Sequence, residues 1–402
     1  MKVLILAPNA GASLSTGGGV NFVLKQAQAL ERLGHDVTIA GFHSLSREAL
    51  SRIHTVTIPS TVRIFDGASS AAYETFRAVP VKLSAYDALL DPRFPRWIEQ
   101  VFEKTKPEVV WFHDDVPRAA ARYRRNCRFY LYVHFPLLGR DTRICPPLDR
   151  TALERLNDFV LRAASTLFIV DNPFDSCDGV WTNSTVTTDV IRRIWGHDGV
   201  YLPTYVADVD VNMLEYKENN VVAVGSFSQG KNYTDLIEGF AAARIADWKL
   251  QIAGHERDHR YVQELRNRIR HLGLENSVEL LISPTGERLR SMIRRASLVV
   301  HAARFEPFGL ALLEAMSAGL GAIAFEGDYS GGWLDILLQG KYGRAFATPA
   351  ELGEQLNQLA YNGPDLKELQ HQGRERARMF DQLTYENRME EIHGRAIGTN
   401  SL

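Results

Sequence analysis

With 402 residues, 45% hydrophobic and 23% charged, the chain is too long for one compact core and far from the composition of a disordered protein. Its formal net charge of −2 supplies no general attraction for polyanions, so nucleic acid is excluded as the expected partner. The opening Met-Lys-Val-Leu-Ile-Leu-Ala-Pro is too short for a signal-peptide core, and no later run approaches a membrane span of roughly twenty apolar residues, so a cytoplasmic protein is expected. Cys127, Cys145 and Cys177 are odd in number and widely spaced, which points to reduced thiols instead of a zinc or redox site.

Val3 to Ala7 reads as a strand buried on both faces, followed by a Gly-rich stretch and by Val20, Val23, Leu24, Ala27 and Leu30 at helical spacing, with Gly34 as the helix stop. Val37 to Ala40 is a second strand, which makes a strand, helix, strand unit and implies a parallel sheet. Val109 to Phe112 and Phe129 to Val133 continue the series, with helices expected near Ala119 to Arg125 and from Thr151 to Ala164. Each of these two strands runs directly into a histidine, His113 or His134.

The polar stretch Ala207 to Asn220 lacks periodicity and reads as a connection. A second series follows, with strands at Val221 to Val224, Leu250 to Ile252, Val278 to Leu281, Leu298 to Val300 and Ala322 to Phe325. Its helices are expected over Thr234 to Ala243, in a segment ending at Gly273, over Glu287 to Arg295 and from about Gly309. The expected organisation is a first domain over residues 1–206, a linker over 207–220, a second domain over 221–378, and a C-terminal helix over 379–402 that crosses back to the first domain. Ligands of such doubly wound halves bind at the carboxyl ends of strands.

The segment Glu306-Pro-Phe-Gly-Leu-Ala-Leu-Leu-Glu314-Ala-Met-Ser-Ala-Gly319 places one carboxylate just before a helix and another in its second turn. The amides of Phe308, Gly309 and Leu310 open that helix and can cradle a diphosphate, helped by the helix dipole. Glu306 would then accept from sugar hydroxyls and Glu314 from a ribose diol. A glutamate near a helix start also serves the dipole alone, and residue chemistry by itself divides evenly between these readings. Gly17, Gly18 and Gly19 follow the first strand, where small residues let a phosphate or sugar approach the backbone, although their spacing does not fit the dinucleotide fingerprint.

From Glu306 to Gly319 the chain resembles the family 4 retaining glycosyltransferases of the GT-B fold, whose mark is two glutamates separated by seven residues and followed by Ala-Met-x-x-Gly. The resemblance implies an α/β GT-B architecture, two Rossmann-like doubly wound parallel-sheet domains facing a cleft, and a metal-independent transfer with no cofactor beyond the nucleotide-diphosphate sugar. Val224 to Asn232 is similar to the stretch where the family grips the donor diphosphate with an arginine and a lysine. Lys231 is in register, but Ser226 stands at the arginine's place, and Arg304 or another arginine is a candidate substitute. The resemblance carries donor or acceptor contacts to Gly18 and Gly19, and a place against the transferred sugar to His113, with His134 beside it.

Tyr132-Val133-His134-Phe135-Pro136, with Asn183-Ser184, Gly331-Gly332 and Leu334-Asp335-Ile336, resembles the mannosyltransferases that extend the lipid-linked oligosaccharide precursor. This favours GDP-mannose, yet Ile282 to Gly286 offers no acidic partner for guanine, so UDP-glucose and UDP-N-acetylglucosamine stay open. The acceptor, a glycan, a lipid-linked or a small-molecule hydroxyl, is not readable; its pocket is assigned to first-domain loops between Phe65 and Trp97.

Asp208-Val209-Asp210 imitates a metal motif, but its place in the linker makes it a polar connector. Arg118, Arg122, Arg124, Arg125 and Arg128 form a basic cluster that would attract anionic lipid head groups or a phosphorylated acceptor, with a solvated basic face as the plainer alternative. A low-activity nucleotide-sugar-binding subunit, motivated by Ser226, and a sugar epimerase of related fold are the competing functions; the oligomeric state is not readable.

Overall fold

The computed structural model describes residues 1–7, 18–42, 60–66, 91–135, 167–206 and 217–398. Chain contacts divide into two compact units: Met1–Asn183, Thr187–Thr204 and Tyr385–Leu402 form the first, Ser184–Val186 and Tyr205–Thr384 the second. The loop from Pro8 to Thr16 with Gly17, Asp208 to Asp210, Cys145, the helix expected at Thr151 to Ala164, and residues 67–90 of the acceptor-loop region lie outside the described residues.

The first unit is built on β1 (Lys2–Leu6), β2 (Asp36–Gly41), β3 (Arg63–Asp66), β4 (Val109–His113), β5 (Arg128–Val133), β6 (Gly179–Thr182) and β7 (Val200–Tyr201), ordered β3-β2-β1-β4-β5-β6-β7. Every pairing is parallel, with Leu4 beside Val110 and Ile5 beside Trp111. The apolar runs of β1, β4 and β5 are buried on both faces, as a sheet covered by helices requires. Helix α1 (Gly18–Arg32) buries Val23, Leu24, Ala27 and Leu30. It ends as the glycine signal requires: the N–H of Gly34, at φ 79°, donates to the carbonyl of Glu31, and that of His35 to Leu30.

Helices α2 (Phe94–Thr105), α3 (Arg118–Ala121) and α4 (Thr185–Trp195) follow. The helix expected over Ala119 to Arg125 is α-helical only through Ala121; Arg122–Arg125 tighten into a 3-10 turn. Arg-Tyr-Arg-Arg buries no side chain there and offers no apolar stripe to extend the α-helix. Three arginines of the basic cluster are paired, Arg118 with Asp171 at 2.9 Å, Arg122 with Glu99 at 3.1 Å and Arg124 with Asp178 at 2.6 Å. This favours the solvated basic face over a lipid-binding patch. Cys127 and Cys177 are free thiols, pushed up to about 11 and about 12 by burial, and so protonated.

The second unit carries β8 (Asn220–Val224), β9 (Lys249–Gly254), β10 (Val278–Ile282), β11 (Leu298–His301), β12 (Gly321–Phe325) and β13 (Arg344–Phe346), all parallel and ordered β10-β9-β8-β11-β12-β13. Strand β8 takes in Asn220, one residue earlier than its apolar run indicates, because Asn220 pairs with Lys249. Helices α5 (Tyr233–Ala243), α6 (His259–His271), α7 (Gly286–Arg295), α8 (Leu310–Ser317), α9 (Pro349–Tyr361) and α10 (Gly363–Arg378) cover the sheet. Helix α8 stops at Gly319, φ 85°, with the same hydrogen-bond pattern as α1: Gly319 N–H to Met316 and Leu320 N–H to Ala315. Helix α11 (Gln382–Gly398) returns to the first unit, where Trp111 Nε1 donates to His393 Nε2 at 3.2 Å.

These sheets match the expected fold class, two Rossmann-like doubly wound domains. In each, the order reverses between the first and fourth strands of the unit, β1/β4 and β8/β11, and the connections diverge there to opposite faces. Strand β9 leaves room for the exit of β8 by ending on Gly254: a Cβ at that position would stand 1.7 Å from the carbonyl oxygen of Gly225. Gly254→Ala must displace backbone and is expected to lower stability by about 1–3 kcal/mol. Urea unfolding of the purified chain measures this, and an unchanged midpoint would contradict the close approach.

Candidate active-site residues

In the second unit, the sheet reversal brings together two loops far apart in sequence. The turn after β8 carries Ser226 and Lys231; the turn after β11 carries Glu306 and leads into α8. Lys231 Nζ and the Glu306 carboxylate form an ion pair, each side chain 23% exposed. Burial alone would push the Glu306 carboxyl up, but the ammonium of Lys231, with its hydrogen bond, and the nearby His301 together hold it below the ordinary carboxylate value.

Helix α8 begins after Gly309, at φ 91°, with no side chain capping it. The carbonyl of Gly309 takes the N–H groups of Leu312 and Leu313, so the amide of Leu310 lies ahead of the first intrahelical bonds. By contrast, Asp258, Thr285, Thr348 and Asn362 cap α6, α7, α9 and α10 with side-chain oxygens. Phe308 points into the core and meets Phe380 edge-on at 5.9 Å, which leaves its backbone as the part available to a ligand. Glu314 sits part-exposed in the second turn of α8.

Ser226 Oγ lies 3.5 Å from Ser228 Oγ. Arg304, the candidate for the missing cation, is held by Asp235 at 2.6 Å and lies over the ring of Phe325. It therefore stands committed to α5 rather than to Ser226. Gly331 donates to the carbonyl of Glu306 at 2.8 Å, and a side chain there would strike the carbonyl of Pro307 at 1.9 Å. That glycine pair packs the turn after β12 directly against the approach to α8.

In the first unit the histidines expected at the strand ends do meet. His113 Nδ1 and His134 Nε2 are 3.1 Å apart, and His113 Nε2 is 3.0 Å from the amide oxygen of Gln26 on α1. With that oxygen accepting, His113 carries its proton on Nε2 and receives the Nε2–H of His134 on Nδ1. Burial, reinforced by His134, lowers His113 well below the ordinary histidine value, and burial likewise lowers His134, opposed by Asp114. Both rings are neutral at physiological pH.

Asp114 pins the turn: at φ 67°, it accepts the N–H of His134 at 2.7 Å and of Phe135 at 3.2 Å. Phe22 of α1 stacks on Tyr132 at 4.0 Å and meets His134 edge-on at 5.0 Å. Next in the chain, the Asp115 carboxyl is pushed up to about 7 by burial and by the charge of Asp114. Gly18 and Gly19 are the first residues of α1. Among the described residues no group of three or more His, Cys, Asp or Glu side chains could hold a metal ion, and no helix is long and apolar enough to cross a membrane.

Residues 17–174 match the glycosyl transferase 4-like domain, and residues 208–378 match glycosyl transferases group 1. The chain is a family 4 glycosyltransferase of the GT-B fold. Sucrose-phosphate synthase of Thermosynechococcus elongatus shares the fold, with a TM-score of 0.73 at 15% identity over 99% of both chains. The GDP-Man:Man(3)GlcNAc(2)-PP-Dol alpha-1,2-mannosyltransferase of Mus musculus is 28% identical over 245 residues, 54% of this chain and 49% of the mouse protein. Mannosylfructose-phosphate synthase of Agrobacterium fabrum is 30% identical over 168 residues, 36% of this chain and 37% of that protein. The glycosyltransferase thus matches these curated relatives over half of their length or less.

Three residues at these strand ends escape a reading of the glycosyltransferase sequence by motif. Gln26, fully buried on α1, orients His113. Tyr233 is buried beside Lys231 with its hydroxyl unpartnered. His301 ends β11, and the sequence did hold a signal for it, since β11 runs into a histidine just as β4 and β5 do.

Removing the ammonium leaves the Glu306 carboxylate buried without its partner. Lys231→Met is expected to destabilise the folded chain by about 1–3 kcal/mol at pH 7, less than for a fully buried pair because both side chains keep 23% exposure. In the wild type, Glu306 has a lowered value, so its contribution is present above about pH 4.3 and lost as pH falls through the folded value. In the variant, burial is opposed by His301 alone, the neutral acid is favoured more than in the wild type, and the gap between the two proteins narrows on acidification. Unfolding measured at pH 7 and near pH 4 decides; a gap that widens in acid would contradict the pairing.

Proposed function

We propose that the protein is a retaining, metal-independent hexosyltransferase that takes mannose from GDP-mannose and passes it to a hydroxyl of a glycan, lipid-linked or small-molecule acceptor. The observation that carries this reading is the Lys231–Glu306 pair set beside the uncapped amide end of α8. A donor diphosphate would take the ammonium of Lys231 and the amides at Gly309 and Leu310, with Ser226 and the Phe308 backbone beside them. Glu306, released from Lys231, would accept from the sugar hydroxyls, and Glu314 from the ribose.

Transfer then proceeds on the front face of the sugar. The C1–O bond breaks with its electron pair going to the diphosphate, the acceptor oxygen bonds to C1 from the same side, and the departing phosphate oxygen takes the acceptor's proton. The charge developing on the leaving group is met by Lys231 and helix amides, which makes a divalent ion unnecessary. His113, oriented by Gln26 and with His134 beside it, would lie against the sugar, and Gly18 and Gly19 at the start of α1 would let donor or acceptor approach the backbone. GDP-mannose as donor is supported by the similarity to the Mus musculus mannosyltransferase. The relatives' acceptors differ in kind by their names, a dolichol-linked glycan and a fructose phosphate, so the acceptor class is left wide. The proposed site of action is the cytoplasm, at the membrane surface where the acceptor is lipid-linked.

Nucleotide release from GDP-mannose, UDP-glucose and UDP-N-acetylglucosamine by the purified chain in chelator tests the reading. Turnover is expected to persist without divalent ions, and Lys231→Ala or Glu306→Ala to lower kcat/KM by about a hundredfold or more. Either variant at full turnover, or activity abolished by chelator, overturns the mechanism. Nucleotides that stabilise the fold while no donor is ever cleaved would instead favour the binding subunit.

A further inference from the structure

The amide end of α8 is not by itself a ligand site, since every helix has one; an independent feature lies against it. His301, at the end of β11, is only 7% exposed, and its Nδ1 is buried without a hydrogen-bond partner. Leaving a buried polar group unmade costs about 1–3 kcal/mol, so such an orphan calls for a reason. The imidazole lies between two glycines. A Cβ on Gly309, immediately before α8, would stand 3.5 Å from Nε2, and one on Gly332 would stand 3.0 Å from Nδ1. The ring thus packs closely against backbone that carries no side chain, beside the turn through which Gly331 holds Glu306.

We infer that His301 is a further donor-binding residue, giving an imidazole N–H to an oxygen of the nucleoside diphosphate held by Lys231 and the amide end of α8. This rests on the glycosyltransferase reading above and adds to it a contact that the family motif does not contain. Burial lowers His301 to about 4, opposed by Glu306 and, more weakly, by its own backbone, with Lys231 lowering it further, so at neutral pH the ring is uncharged with one proton to donate. A hydrogen bond from a neutral donor to a charged phosphate oxygen is among the stronger ones, and it forms here away from competing water. His301 recognises the diphosphate shared by every nucleotide-sugar donor and does not select the base or the sugar.

The test is calorimetric titration of the full chain with GDP, UDP and the corresponding monophosphates. His301→Leu keeps buried volume and removes both nitrogens; His301→Asn restores a donor. The expected result is a loss of about tenfold or more in diphosphate affinity for the Leu variant, at most about threefold for the monophosphates, and recovery of most of the loss in the Asn variant. Gly332→Ala, which presses a methyl toward Nδ1 while keeping the imidazole, is expected to weaken diphosphate binding as well, and it carries the test if the Leu variant does not fold. Unchanged diphosphate binding in these variants, or an equal loss for mono- and diphosphates, overturns the inference and leaves the glycosyltransferase reading intact. A wild-type chain that binds no nucleoside diphosphate removes that reading first, and the role of His301 with it.

Discussion

Lys231 and Glu306 meet because two parallel strands, β8 and β11, lie side by side at the point where the order of the second sheet reverses. Their loops open on the same sheet edge, so residues 75 apart in the chain share one ion pair. An ion pair at this depth is poor evidence for stability, because the cost of desolvating both charges offsets much of their attraction. On the proposed function its position explains it better: an ammonium held at a strand end beside the amide end of a helix is placed to meet an anion that displaces it from Glu306.

The same topological device yields a different electrostatic outcome in the first unit. At the exit of β4, burial acts on His113 and His134 with no strong opposing charge, and both rings stay neutral. At the exit of β11, burial acts on Glu306 as well, but the ammonium of Lys231 outweighs it and the carboxylate stays charged. One sheet edge therefore presents a chain of neutral donors and acceptors, Gln26 to His113 to His134, and the other a resident cation and anion. What decides between them is whether the counter-charge outweighs burial, as Lys231 does for Glu306 and Asp114 does not for His134.

How much of this was legible follows from the kind of signal each residue leaves. Apolar runs and glycine stops are local, so the strands and the ends of α1 and α8 could be read from sequence. Glu306, Glu314, Gly309 and Lys231 carry fixed spacings, and the resemblance singles them out as candidates. Gln26 carries no such mark: a glutamine on an apolar helix face declares its role only once α1 is laid beside β4. Arg304 looked free to replace the cation missing at Ser226, and only the packing of α5 shows it bound to Asp235. The basic run near Arg122 left a lipid-binding patch open beside the plainer solvated face because its partners, Glu99, Asp171 and Asp178, are scattered along the chain.

On the proposed function, the serine at position 226 changes how a departing diphosphate would be met. An arginine there would offer a second charge and a bidentate fork; Ser226 offers one neutral hydroxyl, and Arg304 is engaged elsewhere. With Lys231 as the resident cation, more of the negative charge must be balanced by oriented dipoles: the amides that open α8 and, on the inference above, the N–H of His301. Dipoles lose strength with distance faster than a charge does, and they act best where water is excluded. The buried imidazole and the glycines at 309, 331 and 332 suit that requirement, because they bring backbone and ring close to one another without intervening side chains. A site balanced in this way depends less on long-range attraction and more on close fit than one armed with two cations, so its donor binding should respond to a misplaced methyl more strongly than to ionic strength.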